Sequence, residues 1–299
     1  MSVLRSVGGA WLGVHAPSAP RAMWMWLLER GFRGVLAAPG PRVVDWRAMA
    51  EARQNLPASF VGVSLGGVLR PMKDRPEAGL ASANDNDRVA AFAAVRGAVE
   101  LATALGVTTV LIEPGVVRVP GEPGPTDLSD VTVGWTPEKA AAWLLRRNAV
   151  LDRSLDAACR FFHRVCKTFP EAQFCLTGSA DLLGMGEPVA LAAIFADLRG
   201  LRLGYWHDAP VAARRQQLLG VPQGEWLHLF ADRLVGATVS DTCEGSLYAL
   251  PGSGAVDYPL LAAYKPRRAR PLSAVLELEA GVEPAELPGA MAFLDKFGL

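Results

Sequence analysis

The sequence has few of the features that mark secreted, membrane-spanning or nucleic-acid-binding proteins. Its 299 residues contain only four cysteines, Cys159, Cys166, Cys175 and Cys243, and no CxxC pair. Such sparse cysteine is typical of reduced, cytoplasmic proteins, and the cytoplasm is the expected location. No apolar run approaches the roughly 20 residues that cross a bilayer, so no membrane association is expected.

The chain also has no net charge at pH 7. Thirty basic residues balance thirty acidic ones, which predicts no surface for nucleic acid or for an anionic membrane. The densest basic run, Lys265–Arg270, is interpreted as a solvated loop. Hydrophobic residues make up 51% of the chain, enough for a large core, and we expect one domain over residues 1–299.

Short, mostly apolar runs alternate with longer helical runs eight times along the chain. Parallel strands that are covered on both faces have this composition. Eight β/α units predict an α/β protein with a single (β/α)8 TIM barrel, and an open doubly wound sheet is the alternative. The predicted strands are Trp11–His15, Gly34–Ala38, Phe60–Leu65, Thr109–Glu113, Gln173–Thr177, Leu203–Asp208, Ala237–Asp241 and Ala274–Glu279.

Capping signals delimit two of the helices. Asn84 can cap a helix whose apolar residues recur every three to four positions, and Gly106 is its stop. Thr136 followed by Pro137 begins another helix. That helix would run to about Phe169, longer than usual, so we expect it to bend or break.

The connection Val116–Gly134 lacks periodicity and is rich in proline and glycine. Long unstructured connections in compact domains are uncommon and often functional. Because it follows the predicted fourth strand, it is predicted to cover the carboxyl face of the barrel as a lid. A plain surface insertion is the alternative.

Three carboxylates lie at the predicted strand ends, where β/α barrels place their active sites. They are Glu113, Asp208 and Glu277. Gathering three carboxylates at one mouth is costly unless they are paired, protonated or bound to a cation. We therefore predict a site with these residues as catalytic candidates. The alternative is that some of them form structural salt bridges.

Other residues are candidates for ligand binding. The strand ends also offer His15, Thr177 and Thr238, and Trp206 could wall a pocket, although a core position is the commoner role of tryptophan. Gly252 and Gly254 could let backbone N–H groups approach a ligand oxygen, or they could simply form a tight turn. His207 alternates with Asp208 along its strand, so we predict that it faces the helices.

The chain resembles the xylose-isomerase-like barrels, which include sugar phosphate isomerases and epimerases and are related to endonuclease IV. The similar segments are Tyr205–Asp208, Gly236–Asp241, Leu250–Asp257 and Val275–Glu277, and the PGSGAVD sequence is the most specific. In element order the resemblance covers nearly the whole chain. It implies a divalent metal held by Glu, Asp, His and Glu at the ends of strands five to eight, with the two glutamates exchanging protons with the substrate.

Compared position by position, only two of those four ligands are present. Asp208 and Glu277 match, whereas Thr177 and Thr238 stand in place of the first Glu and the His. A threonine hydroxyl is a weak neutral ligand for a transition metal. Tyr248 stands where related sequences often have His, which makes it a further candidate for ligand binding.

Three functions are consistent with these residues. The first is a divergent sugar isomerase/epimerase-like barrel that keeps a small site for a polyol or sugar but has lost the metal-dependent chemistry, and it needs no cofactor. The second is an active isomerase or epimerase with Mg²⁺ or Mn²⁺ held by Glu113, Asp208 and Glu277. The third is a non-catalytic scaffold or subunit that binds a protein partner or a second copy of itself.

Overall fold

Eight parallel strands form the centre of the computed structural model, which describes residues 3–40, 42–66, 76–119, 121, 128, 134–264 and 272–299. Two further strands form a small antiparallel hairpin. The strands are β1 (Val3–Gly8), β2 (Gly34–Ala37), β3 (Ser59–Ser64), β4 (Thr109–Ile112), β5 (Gln173–Thr177), β6 (Leu203–Asp208), β7 (Leu234–Thr238), β8 (Asp241–Cys243), β9 (Ser246–Ala249) and β10 (Leu272–Leu276).

Helices follow the strands and cover the outside of the barrel. In the described ranges they are α1 (Gly9–His15), α2 (Pro20–Glu29), α3 (Trp46–Ala52), α4 (Asp85–Leu105), α5 (Pro137–Asn148), α6 (Leu151–Thr168), α7 (Pro188–Asp197), α8 (Ala209–Leu219), α9 (Gly224–Phe230), α10 (Tyr258–Ala263) and α11 (Leu287–Asp295). None of these described helices combines the length and the apolar character that a membrane span requires.

The barrel is closed, in the order β1-β10-β7-β6-β5-β4-β3-β2. The last barrel strand, β10, pairs in parallel with β1 over Val3–Val7, which is the closure that the β/α alternation predicts. The open-sheet alternative is therefore wrong. Because the strands are parallel, their carboxyl ends all meet at one end of the barrel.

Apolar side chains fill the barrel interior. Seven strands contribute one side chain each to a separate cluster. Its buried members are Leu36, Leu111, Cys175, Trp206 and Val275, and the partly buried Val61 and Val235 pack against them. Trp206 is the largest, and it lies so close to Gly236 that a β-carbon there would be 2.3 Å from the indole ring. The interior below the strand ends is thus a packed core, as in other barrels of this size.

The predicted first strand, Trp11–His15, is wrong. These residues lie in helix α1, and the preceding Val3–Gly8 forms the strand. A short apolar run fits a strand and a buried helix equally well on periodicity alone. Tertiary contacts decide for the helix, since buried Trp11 donates its indole N–H to Val282 O at 2.8 Å.

Two later strands begin and end earlier than predicted. Strand β7 ends at Thr238 and β10 ends at Leu276, so Glu277 is the first residue after its strand. Asp241 lies outside the barrel, in the β8–β9 hairpin, where its carboxylate accepts N–H groups from Gly252 and Val256 at 2.9 and 3.0 Å. The apolar pattern continues past the strand ends, which hides these boundaries in the sequence.

The predicted helix signals are confirmed. Asn84 accepts the N–H of Asn86 at 2.9 Å, and Gly106 ends α4 with a left-handed φ of 73°. Thr136 accepts the N–H of Lys139 at 3.2 Å. The long helix breaks, as expected, between α5 and α6.

Most of the predicted lid, Val116–Gly134, lies outside the described residues, as does the basic run after residue 264. Two of its described residues contact the loop that follows β5. Val117 donates its N–H to Leu183 O at 3.1 Å, and Leu128 donates to Ala180 O at 2.7 Å.

Candidate functional site

A cavity lies at the carboxyl ends of the barrel strands. Six of the ten predicted site residues line it: Glu113, Thr177, Asp208, Thr238, Tyr248 and Glu277. The enclosed space is about 40 Å³, which holds about three water molecules. This space can take one end of a sugar-sized ligand, so it is the floor of a site rather than the whole of it.

Asp208 joins strand β6 to helix α8 and is held on both carboxylate oxygens. Its Oδ1 accepts the N–H of Val211 at 3.1 Å and so caps α8, while its Oδ2 accepts the Tyr248 hydroxyl at 3.2 Å. Capping by aspartate is favourable at a helix N-terminus, where the backbone N–H groups lack partners. The fold therefore keeps Asp208 at the cavity for a structural reason as well.

Glu277 is the most buried of the three carboxylates, with 4% of its surface exposed. Its backbone carbonyl accepts the hydroxyl of Ser240. Its Oε2 has no hydrogen-bond partner within the described residues. Burial, and to a lesser degree the charge of Asp208, raises the pKa of Glu277 to about 8. The carboxyl group is therefore mostly neutral at pH 7, which is one of the outcomes expected for crowded carboxylates.

Gly8, at the end of β1, makes room for Glu277. A β-carbon on Gly8 would lie 1.8 Å from Glu277 Oε2, far inside the contact distance. Only glycine at this strand end allows the Glu277 side chain to lie over the barrel mouth.

The two threonines at the positions where the resemblance implies metal ligands differ in their contacts. Thr238 Oγ1 accepts the indole N–H of Trp206 at 3.1 Å. Thr177 Oγ1 is buried and has no hydrogen-bond partner in the described part of the chain. Thr238 therefore pairs with the core tryptophan, whereas the buried Thr177 hydroxyl has no such partner in the described ranges.

Glu113 follows β4 and is half-buried. Its Oε2 accepts the hydroxyl of Ser179 at 2.6 Å. Ser179 is fully buried in the loop after β5, so this hydrogen bond ties the ends of neighbouring strands together at the rim of the cavity.

His15 does not lie at a strand end, and this prediction is corrected. It is the last residue of α1, and its Nε2 lies 2.8 Å from Ala280 O. The error follows from the misassigned first strand, because His15 belongs to helix α1 and not to a strand end. His15 is not among the residues that line the cavity.

Trp206, Gly252 and Gly254 also lie outside the cavity lining. Trp206 is in the barrel interior beneath the cavity, where it contacts Thr238. Gly252 donates its N–H to Asp241, and a β-carbon at Gly254 would lie 2.0 Å from Thr242 O. Close packing of a turn is thus what these glycines provide, the second of the two interpretations that the sequence allowed.

Two serines at the site were missed. Ser179 contacts Glu113, and Ser240 contacts Glu277. Each lies two residues after the end of a strand, at Thr177 and Thr238 respectively. The loops at this end of a barrel carry its functional residues, so position alone could have identified them, although nothing else in the sequence does.

The residues at the strand ends do not fit the metal site that the resemblance implies. In the described ranges no three His, Cys, Asp or Glu side chains are grouped so as to hold a metal ion. The alternative set of Glu113, Asp208 and Glu277 is therefore not such a group either. Thr177 and Thr238 offer only neutral hydroxyls, and the Thr238 hydroxyl oxygen and Asp208 Oδ1 already accept hydrogen bonds from the protein.

Comparison with known proteins shows the fold. A search of models of known families finds no match to this sequence, and a search of curated proteins finds none either. Solved structures are similar over nearly the whole chain. One is a D-tagatose 3-epimerase-like protein, with 14% identity, a TM-score of 0.65 and coverage of 98% of this chain and 96% of that chain.

Two further similar structures are sugar epimerases. The 3-keto-D-glucoside 4-epimerase of E. coli has 11% identity, a TM-score of 0.65 and coverage of 99% and 100%. The D-psicose 3-epimerase of Clostridium cellulolyticum H10, in complex with D-tagatose, has 12% identity, a TM-score of 0.64 and coverage of 98% of both chains. The chain is therefore a (β/α)8 barrel of the architecture found in sugar epimerases. The resemblance seen in the sequence is confirmed at the level of the fold.

Proposed function

We propose that this protein binds a small sugar or polyol at the carboxyl end of its barrel, without the four-ligand metal of the xylose-isomerase-like enzymes. The observation that carries the proposal is a pair of polar atoms, Thr177 Oγ1 and Glu277 Oε2. Both are buried, both belong to residues that line the cavity, and neither has a hydrogen-bond partner among the described residues. Leaving such groups unpaired costs about 1–3 kcal/mol each, and a bound ligand would recover that cost.

Ligand hydroxyl groups suit this lining. A hydroxyl donates one hydrogen bond and accepts others, so it can pair with a threonine hydroxyl and with a carboxyl oxygen at once. Glu113 and Asp208 offer further acceptors around the same space. Because the floor holds only about three waters, one or two hydroxyl groups would enter it and the rest of the molecule would lie above.

The donor set favours binding without a metal. Two of the four ligand positions are threonines, and Asp208 is engaged by Val211 and Tyr248. We therefore assign no proton transfer through a metal-bound substrate to this chain.

A ketohexose is a suitable first probe, because D-tagatose is the molecule bound in one of the structurally similar enzymes. Isothermal titration calorimetry and ligand-observed NMR with D-tagatose should show saturable binding to the protein. Glu277→Gln, which removes the carboxyl group from the cavity floor, should weaken binding by about tenfold, the equivalent of one lost hydrogen bond.

Glu100→Gln is the matched control, since Glu100 lies exposed on α4 and is not among the residues that line the cavity. It should leave binding unchanged. Absence of saturable binding by the unmodified protein, or equal effects of the two substitutions, would argue against a sugar site at the barrel mouth.

A further inference from the structure

We infer that Ser179 and Arg215 are positioning residues that fix the orientation of the Glu113 carboxylate at the rim of the site. The inference deepens the proposed function and rests on it, because it assigns Glu113 as a group that meets the ligand. Three steps lead from α8 to the cavity: Arg215 holds the loop after β5, the loop holds Ser179, and Ser179 holds Glu113.

The last step is the hydrogen bond from Ser179 to Glu113. The donor and acceptor oxygens are 2.6 Å apart, a distance typical of a hydroxyl that donates to a carboxylate. Ser179 has no surface exposed, and its Oγ also accepts the N–H of Asp181 at 3.2 Å. Accepting from the loop backbone leaves the hydroxyl hydrogen directed to Glu113.

Close packing allows Ser179 little freedom. A β-carbon at Gly184 would lie 2.1 Å from Ser179 Oγ, and one at Gly186 would lie 2.2 Å from Ser179 N. Two glycines therefore let the loop fold tightly over the serine. Its hydroxyl has one accessible direction, which makes it suited to orienting a neighbouring carboxylate.

Arg215 holds the backbone of the loop that carries Ser179. It lies on α8 with 1% of its surface exposed, and its Nη2 donates to Ser179 O at 3.2 Å and to Asp181 O at 2.8 Å. A fully buried guanidinium is costly, and here its Nε and Nη1 have no partner among the described residues. An arginine used only for packing could be replaced by an apolar residue at lower cost.

Electrostatics link the two ends of this chain of contacts. Burial lowers the pKa of Arg215, and the negative charges of Glu187, Asp181 and Glu113 oppose that effect. The charged Arg215 thus lies within electrostatic reach of Glu113.

A second arginine holds the far half of the loop and does not contact Ser179. Arg147 donates to Leu183 O and to Gly184 O, both at 3.3 Å, and pairs with Glu187. Arg215 therefore holds the half of the loop that carries Ser179, and Arg147 holds the other half.

The test uses Ser179→Ala, with Ser82→Ala as its matched control. Ser82 is another buried serine that donates to a carboxylate, Asp87, at 2.7 Å, outside the site. The ¹³C carboxyl resonance of Glu113, assigned with Glu113→Gln, should shift in S179A and stay in place in S82A. This signal reports on Glu113 whether or not a sugar binds.

Binding of D-tagatose provides the second measurement. S179A and Arg215→Met should each weaken binding by about tenfold, Arg215→Lys should recover part of the loss, and S82A should bind normally. In the Glu113→Gln background S179A should have no further effect, because a positioning residue acts only through its target. R215K also provides the folded variant if R215M does not fold.

The outcomes separate the two proposals. If the unmodified protein does not bind D-tagatose but the Glu113 resonance shifts in S179A, the sugar site is wrong and the positioning stands. If the resonance is unmoved, or if the effects of S179A and E113Q on binding simply add, then Ser179 does not position Glu113.

Discussion

Thr177 and Thr238 show how two residues of the same type, at the ends of barrel strands, come to have different roles. Thr238 satisfies the N–H of Trp206, the largest side chain inside the barrel, whereas Thr177 carries a buried hydroxyl with no partner in the described residues. Both stand at positions where the resemblance implies a metal ligand. Thr238 thus takes part in core packing, whereas under the proposed function Thr177 meets the ligand.

We predict opposite effects of the same substitution at these two sites. Thr177→Val removes an unpaired buried hydroxyl and should raise the free energy of unfolding by about 1 kcal/mol, while it weakens D-tagatose binding. Thr238→Val leaves the Trp206 N–H unpaired and should lower the free energy of unfolding by about 1–2 kcal/mol. Urea denaturation of the two variants measures both changes. Equal signs would show that the two hydroxyls have similar environments.

At the scale of elements, the residue at the end of β1 limits where the side chain after β10 can lie. Strand β1 pairs with β10 over five residues, and Glu277 then crosses over Gly8 into the mouth. The absence of a side chain at one strand end is therefore what positions a carboxyl group from the next strand.

Gly8→Ala should lower the free energy of unfolding by about 1–3 kcal/mol, since its β-carbon would overlap the Glu277 carboxyl group and force it to move. Gly97→Ala is the control. Gly97 lies exposed in α4, and apart from its chain neighbours and the backbone of its own helix no described atom lies within 4 Å of the place that an alanine methyl group would occupy there. Alanine at this helical position should raise stability by about 0.5–1 kcal/mol.

Chemical denaturation checks the pair, and a double variant tests the cause. In the Glu277→Ala background Gly8→Ala should lose most of its cost, because the clash is gone. A cost that persists without the Glu277 side chain would place the strain elsewhere in β1.

The stability of the whole molecule should depend on pH through a residue remote from solvent. His207 lies on β6, facing the helices as its alternation with Asp208 predicts, and its Nδ1 is 2.8 Å from the Tyr205 hydroxyl. Burial lowers the pKa of His207 from 6.5 to about 3. The folded protein therefore excludes a proton that the unfolded chain binds.

Below pH 6.5 the unfolded state takes up a proton at His207 and the folded state does not. The free energy of unfolding therefore decreases as the pH is lowered from about 6.5 to about 3. The loss should be about 1.4 kcal/mol for each pH unit in that range. His207→Gln should remove this contribution in urea unfolding between pH 7 and pH 5. His228→Gln, at an exposed position of α9, should retain the wild-type slope; equal slopes in the two variants would contradict the assignment.

Local sequence signals determined the architecture. Alternating apolar and helical runs predicted the closed barrel, and the caps at Asn84 and Thr136 placed two helices correctly, because these signals depend on neighbours within a few residues. Five of the ten predicted site residues reached the cavity for a similar reason, since parallel strands bring their carboxyl ends together whatever their exact boundaries are. The sixth, Tyr248, reaches it from the antiparallel β8–β9 hairpin.

Only the tertiary structure decided the rest. The first strand was misplaced because the apolar run at Trp11 suits a helix or a strand, and only the contact with Val282 settles which one forms. Ser179 and Arg215 are 36 residues apart in the sequence, and neither carries a local signal of function. Which threonine is satisfied, which carboxyl group is buried and which arginine holds a loop all depend on contacts between distant segments, and those exist only once the barrel has closed.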